Sequence, residues 1–475
     1  MAATPRNRDL GPDGSVGKEE TRTMRKRLSL GVVLALVASL VLPSVAFAQE
    51  ISVEAVKLEL DLLWVMVACV LVFFMQAGFM FLEIGFSRGK NVGTGVAKIF
   101  VNLGMVTVAW WLIGYGVSNV GNDIVGESGY VFSFAADAID ATLAADTGFM
   151  LFGLAFCAVS LAIVWGTTLE RIKFGAYVVY AFIFGALIYP LIAHSVWGDG
   201  LLADIGGKPV LDFAGSSVVH LTGATAGLAA MLLLGPRLGK YGADGKPRAI
   251  PGHSMPLVGL GVVILWIGWF GFNGGSTLAS SDVLFAEVML NTQLAVAAGI
   301  LGAAAVVRLK SRALDVGMIG NGAIAGLVGI TAPSGYVEYW AAPIIGLIAG
   351  ALVVYSVLLI EKYIDDPVGA LSAHGMAGIW GTLSVGLFGS ARLVGDATPG
   401  IWYGITDGNV GFAASFGQFG VQAVGVASTF AVVLGLSLAA FYAIKQTIGL
   451  RVSEEEESLG LDKAEIGVEA YPEFV

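Results

Sequence analysis

The sequence predicts an all-α integral membrane protein of eleven transmembrane helices. Five helices and an inverted copy of them are followed by an eleventh at the C-terminal end. Three observations predict this. The chain of 475 residues is 56% hydrophobic and only 13% charged, about half the charge of an ordinary soluble domain. Apolar runs of roughly the 17–25 residues that cross a hydrocarbon core recur from Asp61 to Gln446, with short polar breaks. A pattern of Asp, seven residues, His occurs twice, five runs apart. The 66 glycines fit the same class, because small residues let membrane helices approach where no hydrophobic force draws them together.

Before the first run, Met24-Arg25-Lys26-Arg27 leads into the apolar stretch Leu28 to Leu42, which ends in Ala46-Phe47-Ala48. That is the plan of a secretory signal with an A-x-A cleavage site. The organisation expected is an upstream extension over 1–23, a signal peptide over 24–48, an external N-terminus over 49–60, a membrane domain over 61–445 and a cytoplasmic tail over 446–475. Retention of the signal as a twelfth span is the alternative; its short apolar stretch and Pro43 disfavour it.

The spans follow in order. Runs 61–86 and 96–120 are joined by a loop with Arg88 and Lys90, and runs 148–168 and 174–194 by one with Arg171 and Lys173. Arg237, Lys240, Lys246 and Arg248 separate 214–234 from 256–275. Arg308, Lys310 and Arg312 separate 286–308 from 317–332, and Lys362 separates 340–360 from 368–389, before a last run at 416–445. The intervening loops hold only Lys208 and Arg392. Basic loops remain cytoplasmic, so the N-terminus is expected outside and the C-terminus inside. A cleaved signal predicts the same orientation.

The charge of −10, partly from the acidic cluster Glu454 to Glu457, argues against a nucleic-acid partner. Cys69 and Cys157 lie inside apolar runs without the spacing of a disulfide framework or zinc site, and read as small core hydrophobes. No nucleophile–base pair, metal cluster or phosphate loop stands out, so neither an enzyme nor a cofactor is expected.

The repeated pattern is Asp212 to His220 in the fifth run and Asp366 to His374 in the tenth. Each Asp falls at the first turn of its helix, where a carboxylate caps free N–H groups. Eight residues at about 1.5 Å each carry each imidazole about 12 Å along the axis, toward the bilayer centre. Five spans separate the copies, so the two helices enter from opposite sides. Inverted repeats place the transport site near the midplane between the halves. A lone buried His is usually a satisfied core residue; two at matched positions, where ionisable groups are costly, point to function. Asp212 reads both as a cap and as an electrostatic aid to cation recruitment. His194, at the end of a span, and His253, in a basic loop, receive no transport role.

Asp212 to His220, His374-Gly375-Met376-Ala377-Gly378-Ile379-Trp380-Gly381 and Gly268-Trp269-Phe270-Gly271-Phe272-Asn273-Gly274-Gly275-Ser276 together resemble the ammonium transporter (Amt) family. The resemblance runs from Leu62 to Tyr471 and includes Glu170-Arg171-Ile172-Lys173-Phe174 and Gly449-Leu450-Arg451. It implies a homotrimeric ammonium transporter of the cell (inner) membrane with one pore per subunit. The outer recruitment site would be Phe156, Trp197 and Ser276, the stacked gate Phe156 and Phe272, and the pore pair His220 and His374. Aromatic faces hold ammonium by cation–π attraction, worth up to about 2 kcal/mol when desolvated. A hydroxyl such as Ser276 can take one of its hydrogen bonds, which K⁺ cannot donate. An apolar lumen below the gate favours NH₃ over the cation. Imidazole titrates near neutrality, and the resemblance implies that the pair shares one proton, with NH₃ and H⁺ transferred together. It also implies a PII-type signal protein as a partner of the tail and inner loops.

Two positions depart from the family pattern: Gly153, where many members carry Gln, and Glu465-Ile466-Gly467, where a His often follows the Glu. A Rhesus-like gas channel and an ammonium sensor are the competing readings. Trp197 and Ser276 argue against the first, and the short tail after Arg451 against the second.

Overall fold

A computed structural model describes residues 52–131, 141–281, 283–311 and 313–472. The expected upstream extension (1–23) and signal peptide (24–48), and Arg312 of the basic loops, lie outside the described residues. The chain divides after Leu58; of the first unit only residues 52–58 are described, and the second, from Glu59 onward, holds the architecture below.

Each expected run falls on a helix. In chain order these are α1 (Val53–Phe86), α2 (Gly89–Ser118), α3 (Ala141–Thr167), α4 (Phe174–Trp197), α5 (Ser216–Leu234), α6 (Met255–Gly275), α7 (Leu284–Ser311), α8 (Val316–Thr331) and α9 (Ala341–Ile360). Then come α10, made of Leu371–Met376 and Ala377–Phe388, a short α11 (Ile401–Thr406), α12 (Phe412–Thr447) and α13 (Glu454–Leu459). Among the described residues, nine helices are long and apolar enough to cross a membrane by length and composition: α1 to α7, α9 and α12. α8 is a shorter apolar helix of 16 residues, and α10 opens with a π turn. No strand forms among the described residues, where only isolated bridges occur.

Three boundaries differ from expectation: α3 starts at Ala141, not 148, and the starts of α1 and α2 differ for physical reasons. α1 starts at Val53, not 61, so residues 53–60 of the segment expected as an external N-terminus (49–60) are helical. Val-Glu-Ala-Val-Lys-Leu-Glu-Leu is rich in good helix formers without being a continuous apolar run. α2 starts at Gly89, not 96, because a partner distant in sequence caps it: Asp462 of the tail accepts the N–H groups of Gly93 (2.9 Å) and Thr94 (2.7 Å). α7 and α8 touch backbone to backbone, since a Cβ added at Gly326 would lie 2.7 Å from the Ala295 carbonyl oxygen.

The basic loops and the tail meet at one end. Arg237 grips Asp365 through Nε and Nη2, both at 2.9 Å, and Arg171 donates to the Asp365 carbonyl at 2.8 Å. Arg88 holds Glu170 with its Nε at 2.7 Å. The tail locks on through Glu457, paired with Arg451 at 2.7 Å, and through Glu465, which caps α4 at the Phe174 N–H at 2.8 Å. Arginines here knit the loops together.

Burial pushes the Asp365 carboxyl up, but the Arg237 and Arg171 guanidiniums outweigh it and hold it down from 3.8 to about 2. A depressed carboxyl contributes stability above its unfolded value and loses it as pH falls through the folded one. The contribution is about 2 kcal/mol. Asp365→Asn should therefore lower the unfolding midpoint in detergent at neutral pH. The gap to the parent should close as pH falls from about 4 to about 2. A gap that persists unchanged across that window would contradict this assignment.

Candidate functional site

Each histidine sits in a π turn, Ser216–Leu221 at the start of α5 and Leu371–Met376 at the start of α10. Such turns often mark functional sites. The carboxylate upstream secures each one. Asp212 Oδ1 accepts the N–H groups of Gly215 (2.8 Å) and Ser216 (2.9 Å), and Oδ2 those of Ser217 (2.8 Å) and Val218 (3.0 Å). Asp366 accepts those of Gly369 (3.1 Å) and Leu371 (2.8 Å). Three residues after each Asp the chain turns through positive φ, 113° at Gly215 and 75° at Gly369, which only glycine adopts without strain. The sequence repeat is thus a repeat of cap, glycine and π turn.

The two turns bring His220 Nδ1 and His374 Nδ1 to 3.3 Å, with the residues 0% and 6% exposed. Two ring nitrogens can hydrogen-bond only when one carries a hydrogen and the other a lone pair. The geometry therefore asks for one proton between them. His220 also stacks on Trp269, with centroids 5.2 Å apart, and the Trp269 indole is fixed by Thr331 Oγ1 at 2.9 Å.

Phe272 stands over the pair, its ring 5.4 Å from that of His220. Phe156 stacks on Phe272 at 4.1 Å and 12°. Beyond them opens a cavity of about 530 Å³ whose walls include Trp110, Asp146, Phe156, Trp197, Ser276 and Tyr336. Trp197, 42% exposed, donates its indole N–H to the Asp212 carbonyl at 2.7 Å. Ser276 Oγ donates to the Phe272 carbonyl at 2.9 Å, so its lone pairs remain to accept an N–H. Asp212 does two jobs at once: its carboxylate, 3% exposed and filled by four amides, holds the histidine turn, and its carbonyl holds Trp197. A cavity of the same size at the tail end, lined by Lys90, His253, Lys463 and Tyr471, lies apart from the pair.

The seven residues singled out from sequence are therefore brought together: Trp197, Phe156, Phe272, His220 and His374 follow one another in contact, and Asp212 and Ser276 line the adjoining cavity. The other two histidines are tied elsewhere. His194 meets the carbonyls of Asn119 (2.8 Å) and Asn122 (2.6 Å), and His253 meets the Ser87 carbonyl (3.0 Å) and the Tyr471 hydroxyl (3.1 Å). Sequence reading missed Trp110 and Asp146 in the walls of that cavity. Trp110 also accounts for Gly153: a Cβ there would sit 2.8 Å from the Trp110 ring, whose N–H donates to the Met150 carbonyl at 3.0 Å. The indole fills the room that a glutamine would need.

Fold and site together define a polytopic helical membrane protein, an inverted repeat with paired imidazoles under a stacked phenyl pair. The sequence profile of the Ammonium Transporter Family matches residues 63–471. The chain is 43% identical over 433 residues to ammonium transporter Amt2 of Archaeoglobus fulgidus, covering 89% of this chain and 90% of that one. It is 33% identical over 422 residues to the ammonium transporter of Bacillus subtilis, covering 86% and 98%. Among solved structures, one described as a sensor Amt protein aligns with TM-score 0.79 at 34% identity, covering 87% of this chain and 99% of that one. Mep2 of Candida albicans aligns at 0.75 and 30% identity, covering 88% and 93%. The chain belongs to the ammonium transporter family.

Proposed function

We propose that this protein recruits NH₄⁺ in the Trp197 vestibule, strips its proton at the Phe156–Phe272 gate and conducts NH₃ and H⁺ past His220 and His374. The observation that carries the reading is the 3.3 Å approach of two buried imidazole nitrogens beneath a stacked phenyl pair. Phe156 and Trp197, with centroids 6.1 Å apart, offer aromatic faces to a cation, and Ser276 offers an acceptor. Asp212 serves recruitment through its carbonyl, which aims the Trp197 ring. Below the gate the walls are phenyl, indole and imidazole rings, where a bare cation is costly and NH₃ is not. The imidazoles take up the proton left behind.

The reading includes a vestibule on the outer side of the cell membrane, with the basic loops and tail inside, as loop charge predicts. It also includes a homotrimer with one pore per subunit and an inner face that meets a PII-type signal protein, as the family resemblance implies. Proteoliposomes on a solid-supported membrane test the selectivity at its core. A pulse of ammonium should evoke a current and an equal pulse of K⁺ none, since K⁺ donates no hydrogen bond to Ser276. Equal responses to both would sink the reading. Trp197→Leu should raise the half-saturating ammonium concentration about tenfold, from loss of a cation–π contact worth about 1–2 kcal/mol. An unchanged concentration dependence would remove Trp197 from recruitment.

A further inference from the structure

One acid near the histidines has no part in the route above. Glu83 of α1 is 1% exposed, and its Oε2 has no hydrogen-bond partner. Among the described residues no Lys or Arg forms an ion pair with it. It lines a small cavity together with His374, Phe79, Asn321 and Val368. The cavity's free volume is about 20 Å³, enough for one water. Phe79, one turn earlier on α1, lies 6.2 Å from the His374 ring, so this space continues the line from gate to His220 to His374. Gly166 of α3 keeps it open, because a Cβ there would sit 3.1 Å from Glu83 Oε1 and 3.0 Å from Val368 Cγ2.

The titratable groups that face Glu83 are His374 on α10 and Tyr177 on α4. The Tyr177 hydroxyl is already committed, donating to Asn102 Oδ1 at 3.0 Å. His374 is left as the exchange partner. An acid buried this fully for structural reasons would have both oxygens bonded; a bare, unpaired carboxylate sealed inside the protein, 1% exposed, calls for a proton.

We propose that Glu83 is the proton acceptor on the inner side of His374, and that the cavity between them is a second protonation site on the path. The inference rests on the conduction reading above. At rest Glu83 is a neutral acid. It releases its proton to the inner solution and becomes a carboxylate. The His374 imidazolium then gives its proton, through the water in the cavity, to that carboxylate, which restores a neutral imidazole and a neutral acid. One proton enters at the gate and one leaves inside, where NH₃ recombines with it.

Ammonium-evoked currents of the full chain in proteoliposomes test this with Glu83→Gln and Glu83→Asp. Glu83→Gln should cut the current about tenfold or more while leaving the half-saturating ammonium concentration unchanged, because the vestibule is untouched. Glu83→Asp should restore most of the current. A parent that carries current alongside an undiminished Glu83→Gln would overturn the proposal and spare conduction. A parent without current would overturn both. Infrared difference spectra of the parent after an ammonium jump add a readout that needs no variant to conduct. A protonated-carboxyl band should respond and should shift in Glu83→Asp. No responding band, or one that Glu83→Asp leaves in place, would count against Glu83.

Discussion

Replacing His220 or His374 with alanine is expected to cut the ammonium-evoked current about a hundredfold, the usual scale for loss of a positioned proton acceptor. Each imidazole has a distinct place. His220 lies next to Phe272, with ring centroids 5.4 Å apart, and on the proposed route would be the first acceptor, while His374 lines the cavity that holds Glu83. With only 3.3 Å between their nitrogens, one proton serves both rings. Removing one ring therefore breaks the relay as fully as removing both. The double variant should fall no further than the worse single variant, a coupling expected of groups that act as one unit. Wild-type currents in both single variants would end the relay account. Multiplying losses in the double variant would show two independent acceptors.

The second large effect concerns a residue that touches neither ring. Asp212→Ala strips four amides of their acceptor at the start of α5. Unsatisfied donors at a buried helix start destabilise by about 1–3 kcal/mol each, so a loss of about 3 kcal/mol is expected even if water from the vestibule replaces some bonds. The π turn that presents His220 is built on those amides, and the current should fall with the unfolding midpoint. Asp212→Asn keeps the shape but exchanges one acceptor oxygen for an amino group that opposes the N–H donors it meets. It should fall between parent and Asp212→Ala in both measurements. A normal midpoint in Asp212→Ala would mean that the cap is dispensable.

Much of this was legible in the sequence, and the parts that were not share physical reasons. The eleven apolar runs and the Asp–seven–His repeat are one-dimensional signals, and both became structure: helices on every run, and two imidazoles in contact. The π turns were hidden, because the spacing from Asp to His is the same whether the turn closes as α or π. The roles of Phe156, Phe272, Trp197 and Ser276 came through family resemblance, since a single aromatic in an apolar run reads as packing. Trp110 was invisible as the partner of Gly153, 43 residues away. The tail was read by its charge and by family resemblance, yet Asp462 and Glu465 act as caps on α2 and α4, which no local pattern discloses. Glu83 was a missed signal of another kind. An acid within the 61–86 run, one turn from its end at Phe86, is costly where apolar neighbours bury it, and that cost marked it.

The charge moved per NH₃ delivered tests the central claim most directly. Current and internal alkalinisation or ammonia gain can be recorded on the same proteoliposomes after one ammonium jump. Recruitment of NH₄⁺ followed by passage of both fragments predicts one positive charge for each NH₃ that arrives. Ammonia gain without accompanying charge would identify a gas channel and contradict the account.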